Sequence, residues 1–293
     1  MRIMSHGAIP LLPNIRVLKE RYPIWLCDVW GVVHNGVHAF NEPIDALIQF
    51  RHSGGRVALI TNAPRPAAPV QQQLKQLGVS DEAYDVVVTS GDATRSLLKQ
   101  YEGQLICHIG PDRDRSLFAD LKFDEVEPAR AKIVLCTGLE NDVCESVADY
   151  EEMFQDLAAR QVGLICANPD LVVNRGGILV PCAGALAEAY AKMGGNVFYV
   201  GKPHRPIYEL ALKRLALGMP KLPSRGQVLA IGDGLKTDIE GAAKFGVDSM
   251  FIASGIHWSD VSTRGQNIDF ERILSLVAAS SRPPIGVQKS LCW

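Results

Sequence analysis

In this 293-residue chain, four short stretches set chemically capable side chains directly after or beside apolar runs. They are Cys27-Asp28-Val29-Trp30-Gly31-Val32, Thr61-Asn62-Ala63-Pro64-Arg65, Gly201-Lys202-Pro203, and Gly232-Asp233-Gly234-Leu235-Lys236-Thr237-Asp238. Together they offer three carboxylates (Asp28, Asp233 and Asp238), the Thr61 hydroxyl and the Lys202 ammonium. Carboxylates gathered at one point repel one another unless a cation sits among them, and hard oxygen ligands from loops suit Mg²⁺. A lysine at the same point would neutralise a nucleophilic aspartate and a bound phosphate. A nucleophilic carboxylate, a divalent metal, a hydroxyl donor and an ammonium are the parts that phosphoryl transfer needs. Taken singly, each residue has a plainer role. Asp28 can cap a turn, Thr61-Asn62 suits a turn, Lys202 can face solvent, and Asp238 can sit in the first turn of a helix.

The elements that must position these groups are short. Apolar, β-rich runs cover 24–29, 56–60, 84–89, 104–109, 132–136, 163–166, 196–200, 227–231 and 249–252, as expected of buried parallel strands. Helical patterns cover 43–52, 67–77, 93–100, 143–160, 185–193, 206–217 and 238–245. Gly54-Gly55 and Gly78 supply stops, Asp92 a start and Pro206 a first-turn residue. Strand and helix alternate, which predicts an α/β fold with a mostly parallel, doubly wound, Rossmann-like sheet. Chemistry in such sheets lies beyond the carboxyl ends of the strands, where the four stretches fall. The Pro-, Gly- and Ser-rich tail after Arg282 is expected to be loosely held.

The four stretches, in this order, make the chain resemble the haloacid dehalogenase (HAD) superfamily, specifically its class IIA, NagD-like hydrolases. The strings Ile60-Thr61-Asn62, Val200-Gly201-Lys202-Pro203 and Gly232-Asp233-Gly234-Leu235-Lys236-Thr237-Asp238-Ile239 carry the flavour of that branch. The resemblance implies a HAD core over 1–102 and 199–293, interrupted by a C2-type α/β cap over 103–198. It implies that Asp28 attacks phosphorus, Thr61 hydrogen-bonds the phosphoryl group with Asn62 beside it, and Lys202 holds the charges of nucleophile and phosphate together. Asp233 would ligate Mg²⁺ with Asp28 and the backbone carbonyl of Trp30, and Asp238 would support the metal shell or the lysine. Asn168-Pro169-Asp170 resembles a string of class IIA caps and would shape a turn facing the site. Arg65, Asn174 and Arg175, the last two in a Gly-rich loop, are candidates for substrate selection. Caps of this class often pair, so a homodimer is among the implied states.

One position departs from the family. Its phosphatases usually carry a second aspartate two residues after the nucleophile, to protonate the leaving alkoxide and then activate water; here the residue is Trp30. An indole N–H cannot take either role, and a positioned acid/base typically contributes about 10²–10⁴-fold. The expected activity is therefore a slow phosphatase on a small phosphate ester, a sugar phosphate by resemblance, or one suited to good leaving groups such as aryl or acyl phosphates. A phosphate-ester binding protein with little turnover, and a phosphotransferase or acyl-phosphate hydrolase, stay open beside it. His34 and His38 follow closely and are read as solvent-facing loop residues before substitute proton donors.

Composition narrows the partners. Thirty basic and 32 acidic residues give a formal charge of −2, so no broad positive field exists to hold nucleic acid or an anionic membrane. No apolar run approaches the roughly 18 residues of a spanning helix, and the first twenty residues lack the apolar stretch of a secretory signal. The seven cysteines form no CxxC pair, which suits buried thiols in a cytoplasmic protein.

Overall fold

The structure is a computed structural model; it describes residues 9–175, 178–217, 223–263 and 267–293. The first eight residues, part of the segment read above for a secretory signal, lie outside the described residues. In chain order the strands are β1 (Ile24–Asp28), β2 (Arg56–Thr61), β3 (Val86–Thr89), β4 (Leu105–Ile109), β5 (Asp124–Glu125), β6 (Ile133–Cys136), β7 (Gly163–Cys166), β8 (Val172–Arg175), β9 (Ile178–Pro181), β10 (Val197–Tyr199), β11 (Val228–Gly232), β12 (Asp248–Ile252) and β13 (Gly286–Gln288). The α-helices are α1 (Asn41–His52), α2 (Ala67–Gln76), α3 (Ser90–Leu98), α4 (Glu151–Ala159), α5 (Ala183–Lys192), α6 (Arg205–Leu215), α7 (Glu240–Phe245), α8 (Trp258–Val261) and α9 (Phe270–Val277).

Two parallel sheets result. A six-stranded sheet runs β13-β12-β11-β1-β2-β3, and a five-stranded sheet runs β10-β7-β6-β4-β5. All strands of the second sheet lie between β3 and β11 in the chain. β8 and β9 form a separate antiparallel hairpin, Val172 opposite Pro181 and Arg175 opposite Ile178.

β1 is buried along its whole length, and its side chains alternate between two cores, as strand geometry demands. Trp25 and Cys27 join a cluster with Leu47, Phe50 and Leu59. Ile24 and Leu26 join one with Ile207, Tyr208 and Phe245 on the other face. Trp25 stacks on Phe50 with ring centroids 3.6 Å apart, and Trp293 leans on both at 6.3 Å. The order places β1 between β2 and β11. The chain leaves β1 toward β2 and β3 on one side, and returns to β11, β12 and β13 on the other. That reversal opens a crevice beyond the carboxyl ends of β1 and β11, the usual ligand position in such sheets.

Two sequence expectations are corrected. The segment after Arg282 is not loosely held: β13 pairs with β12, with Phe251 opposite Val287, and Val287 and Leu291 are fully buried. Its Pro and Ser residues hid a three-residue edge strand that only pairing reveals. The helix read as starting near Ala93 starts at Ser90. Thr89 is its cap: its hydroxyl accepts the Asp92 N–H while the Asp92 carboxylate accepts the Thr89 N–H, a capping box. Five cysteines are buried, Cys144 is exposed, Cys292 is half-buried, and all are unbridged.

If the C-terminal segment is part of the core, Leu291→Ala is expected to lower unfolding stability by about 2–5 kcal/mol. Urea titration reads this directly; a change within about 0.5 kcal/mol would be that of an ordinary surface position.

Candidate active site

The crevice gathers the four loops. Asp28 closes β1, Thr61 closes β2, and Asp233 directly follows β11. Asp238 lies in a π-helical turn, Leu235–Ile239, that leads into α7. Such π turns are rare and often mark functional sites. Lys202 comes from the loop between β10 and α6.

Asp28, Thr61, Lys202, Asp233 and Asp238 are all buried, each at most 6% exposed. The Lys202 ammonium donates to Asp28 Oδ1 and, at 2.7 Å, to Asp238 Oδ1. One carboxylate oxygen from each of Asp28, Asp233 and Asp238 lies within 4.8 Å of the others. Asp238 Oδ2 accepts the Gly234 N–H at 3.0 Å, and Asp233 Oδ2 accepts the Ile256 N–H at 2.7 Å. The backbone closes tightly round Asp233. A Cβ on Gly31, which sits at φ +92°, would stand 2.1 Å from Asp233 Oδ2, and one on Gly255 would stand 1.9 Å away. The Gly255 loop follows β12; reading every strand end, and not only those with charged residues, would have found it.

These charges are out of balance. Three buried carboxylates face one ammonium, so full ionisation leaves two negative charges uncompensated in a poorly solvated site. Burial is the main force lifting the Asp28 carboxyl well above its usual range; Lys202 opposes it, and Asp238 and Asp233 add to it. Burial with the Asp238 charge pushes Asp233 up to about 7. Lys202 loses solvation on burial, yet Asp238, Asp28 and Asp170 outweigh that loss and hold its pKa well above the usual range. A hard divalent cation among three carboxylate oxygens would resolve the same imbalance, and the donor set fits Mg²⁺.

Asn62 brackets the lysine. Its Oδ1 accepts the Lys202 N–H at 2.7 Å, and its Nδ2 donates to the Lys202 carbonyl at 3.0 Å and to Asp170 Oδ1 at 2.8 Å. Asp170 belongs to the segment carrying the second sheet, so this chain of bonds joins the two sheets' units at the lysine. A second link is the Trp30 indole N–H, which donates to the Asn174 carbonyl at 2.8 Å.

The other expected site residues are distributed differently. Asn174 lines the central cavity with Asp28, Trp30, Thr61, Asn62 and Lys202. Arg65 and Arg175 are not among the described lining residues. Arg65 donates to Gln73 at 2.7 Å and lies 3.9 Å from buried Asp114. Arg175 makes a two-pronged pair with Asp142, at 2.8 and 3.2 Å. Asn174 and Arg175 also end strand β8 and are not in a loop. His34 is likewise corrected: it is 2% exposed, its Nδ1 accepts the Gly36 N–H at 2.9 Å, and its ring meets the Trp30 edge. His38 is exposed.

Comparison with known proteins gives the family. The family model described as haloacid dehalogenase-like hydrolase matches residues 25–124, and one described as HAD hydrolase-like matches 199–271. A haloacid dehalogenase-like hydrolase from Brucella suis superposes with TM-score 0.85 and 41% identity, over 96% of this chain and all of that one. The chain belongs to the haloacid dehalogenase-like hydrolases. Within them it falls in the class IIA, NagD-like branch. Ribonucleotide monophosphatase NagD of Escherichia coli K12 is 25% identical over 79% of this chain and 87% of its own. The acid sugar phosphatase of Staphylococcus haemolyticus is 24% identical over 81% and 87%. Among the described residues, no helix is long and apolar enough to cross a membrane.

His34 gives a test of site packing that needs no substrate. Burial lowers its pKa from 6.5 to about 4. The neutral ring is thus favoured in the folded state, and the stability this contributes is present above pH 6.5 and lost as pH falls through 4. The shift corresponds to roughly 3 kcal/mol. His34→Asn keeps an acceptor for the Gly36 N–H but cannot titrate. Between pH 7 and pH 4 the wild type is therefore expected to lose about 3 kcal/mol more than the variant in urea unfolding. Equal losses would mean the ring charges freely.

Proposed function

We propose that the protein is a Mg²⁺-dependent phosphatase that hydrolyses a small phosphomonoester through an aspartyl-phosphate at Asp28. The observation that carries this reading is the buried cluster of Asp28, Asp233 and Asp238, two of them paired with the Lys202 ammonium, in the lining of a cavity of about 1130 Å³. The phosphatase names of the curated relatives support the reaction class.

In this reading the Asp28 carboxylate attacks phosphorus, and the bond from phosphorus to the ester oxygen breaks. Lys202 offsets the charge of the nucleophile and the arriving phosphate, and the Thr61 hydroxyl donates to a phosphoryl oxygen. Asp28, Asp233 and the Trp30 carbonyl would hold Mg²⁺, with Asp238 supporting the lysine. When bound, the cation neutralises phosphoryl charge and lowers the barrier to attack. Water then attacks the aspartyl-phosphate, returning the Asp28 carboxylate and releasing inorganic phosphate. We read residues 103–198 as a cap over residues 1–102 and 199–293; such a lid excludes water and selects substrate. Among the described lining residues the lysines are Lys202, Lys236 and Lys244 and there is no arginine, which fits a small ester better than a polyanion.

With p-nitrophenyl phosphate as probe, turnover is expected to need Mg²⁺, to fall to the uncatalysed level in Asp28→Asn, and to drop about 10²–10³-fold in Lys202→Met. Binding of Mg²⁺ and a phosphate analogue with no turnover in the wild type would instead identify a binding protein.

Asp170 is expected to act through Asn62. Asp170→Asn keeps an acceptor for the Asn62 amide, whereas Asp170→Ala removes it. The alanine variant should lose about tenfold in kcat with KM little changed, since a net hydrogen bond in such a site contributes about 1–1.5 kcal/mol, and the asparagine variant should recover most of that loss. Equal losses in both would mean that the Asp170 charge, and not its bond to Asn62, matters.

A further inference from the structure

The cavity that holds the site has an uneven lining. Beside the charged loops it is walled by Trp30, Phe40, Pro169, Leu171, Val172 and Val173. Leu171 is 36% exposed, and Trp30, Phe40, Val172 and Val173 are half-buried, so each keeps some apolar surface uncovered by protein neighbours. The Trp30 ring is held in place. It packs so closely on Gly36 that a Cβ there would stand 2.4 Å from it, it makes a T-shaped contact with the His34 ring, and its N–H is committed to the Asn174 carbonyl.

Two polar lining residues are engaged with other protein groups: Asp170 accepts from Asn62, and His257 Nδ1 pairs with Asp260 at 3.0 Å. His204 lies flat on Tyr199, ring planes 5° apart. Two consequences follow for the ester's organic part. A polyhydroxylated group against this wall would leave hydroxyls without partners, at a desolvation cost for each. A leaving oxygen beside the indole would meet a C–H and ring surface where a proton donor would have to stand.

We propose that Trp30 is a specificity-determining residue and that the substrate class is the aryl phosphates, esters of an apolar aromatic alcohol. This rests on the phosphatase reading above and narrows it. In the first step the Asp28 carboxylate forms a bond to phosphorus as the bond from phosphorus to the aryl oxygen breaks. The electron pair leaves on that oxygen as a phenolate, which the ring stabilises, so no proton is required from the enzyme. In the second step water adds to the aspartyl-phosphate, both its protons leave with dihydrogen phosphate, and Asp28 is again a carboxylate. The aromatic ring of the ester lies against Trp30 and Phe40, where flat apolar surfaces stack favourably.

The test is a panel of p-nitrophenyl phosphate, phenyl phosphate and glucose 6-phosphate, each with Mg²⁺, on wild type, Trp30→Phe and Trp30→Asp. The wild type should favour phenyl phosphate over glucose 6-phosphate by at least about 100-fold in kcat/KM, the lower end of what a positioned proton donor contributes. It should also favour p-nitrophenyl over phenyl phosphate in kcat. Trp30→Phe should keep both preferences, and Trp30→Asp should narrow the gap to glucose 6-phosphate by tenfold or more. The wild-type panel alone decides if the aspartate variant does not fold. Hydrolysis of glucose 6-phosphate by the wild type within about tenfold of phenyl phosphate overturns the proposal and leaves the phosphatase reading standing. No turnover of any ester, with Asp28→Asn indistinguishable from wild type, overturns that reading and this proposal with it.

Discussion

Three carboxylates packed against a single ammonium are the constraint around which the rest of this protein is arranged. Burying one unpaired carboxylate is expensive, and burying three is tolerable only where each is held by donors and the group as a whole awaits a positive partner. The surroundings meet both conditions. Asp238 is held by the Gly234 N–H and Lys202, Asp233 by the Ile256 N–H, and Asp28 by Lys202. The glycines at 31 and 255 exist in that shell because any side chain would overlap the Asp233 carboxylate. In the proposed reading a cation would meet the surplus of acids, and the lysine would meet the surplus that a phosphate dianion brings.

Sheet topology explains how residues more than 200 positions apart meet. Because β1 lies between β2 and β11, the loop after β1 opens directly beside the loop after β11. Only a parallel arrangement puts the carboxyl ends of all these strands on one edge, and only the reversal of direction at β1 leaves a gap there for a ligand. The long excursion through the second sheet costs nothing at this point, since it leaves after β3 and α3 and returns before α6, outside the strands that border the gap.

This arrangement was largely legible in the sequence, for a physical reason. Strands buried on both faces read as short apolar runs, so their ends, and the polar residues just past them, are visible one at a time. Asp28, Thr61, Lys202, Asp233 and Asp238 were found in that way. What escaped depended on partners far off in sequence. Arg65 and Arg175 look equally suited to a phosphate and to a carboxylate, and nothing local tells that Asp114 stands near one and Asp142 beside the other. The β13 edge strand is three residues long and gains its order from β12 and the core below it. His34 reads as a loop histidine because the burial of a loop depends on what packs over it. Thr89 was passed over for Asp92 as the helix cap, although the two share a capping box in which each satisfies the other's N–H.

The loops also divide their work. Those bearing Lys202, Asp233 and Asp238 hold charge. Those after β1 and β2 each reach across to the segment of the second sheet, Trp30 to the Asn174 carbonyl and Asn62 to Asp170. Asp28 and Thr61, the proposed nucleophile and phosphate-binding hydroxyl, thus sit beside the two loops that reach the other unit. A shift of that unit would break the Trp30 bond and loosen Asn62, whose amide brackets the Lys202 backbone on both sides. Lys202 in turn bonds two of the three carboxylates, Asp28 and Asp238. The bonds that bracket the lysine and the bond that reaches the second sheet's segment therefore share one side chain, Asn62.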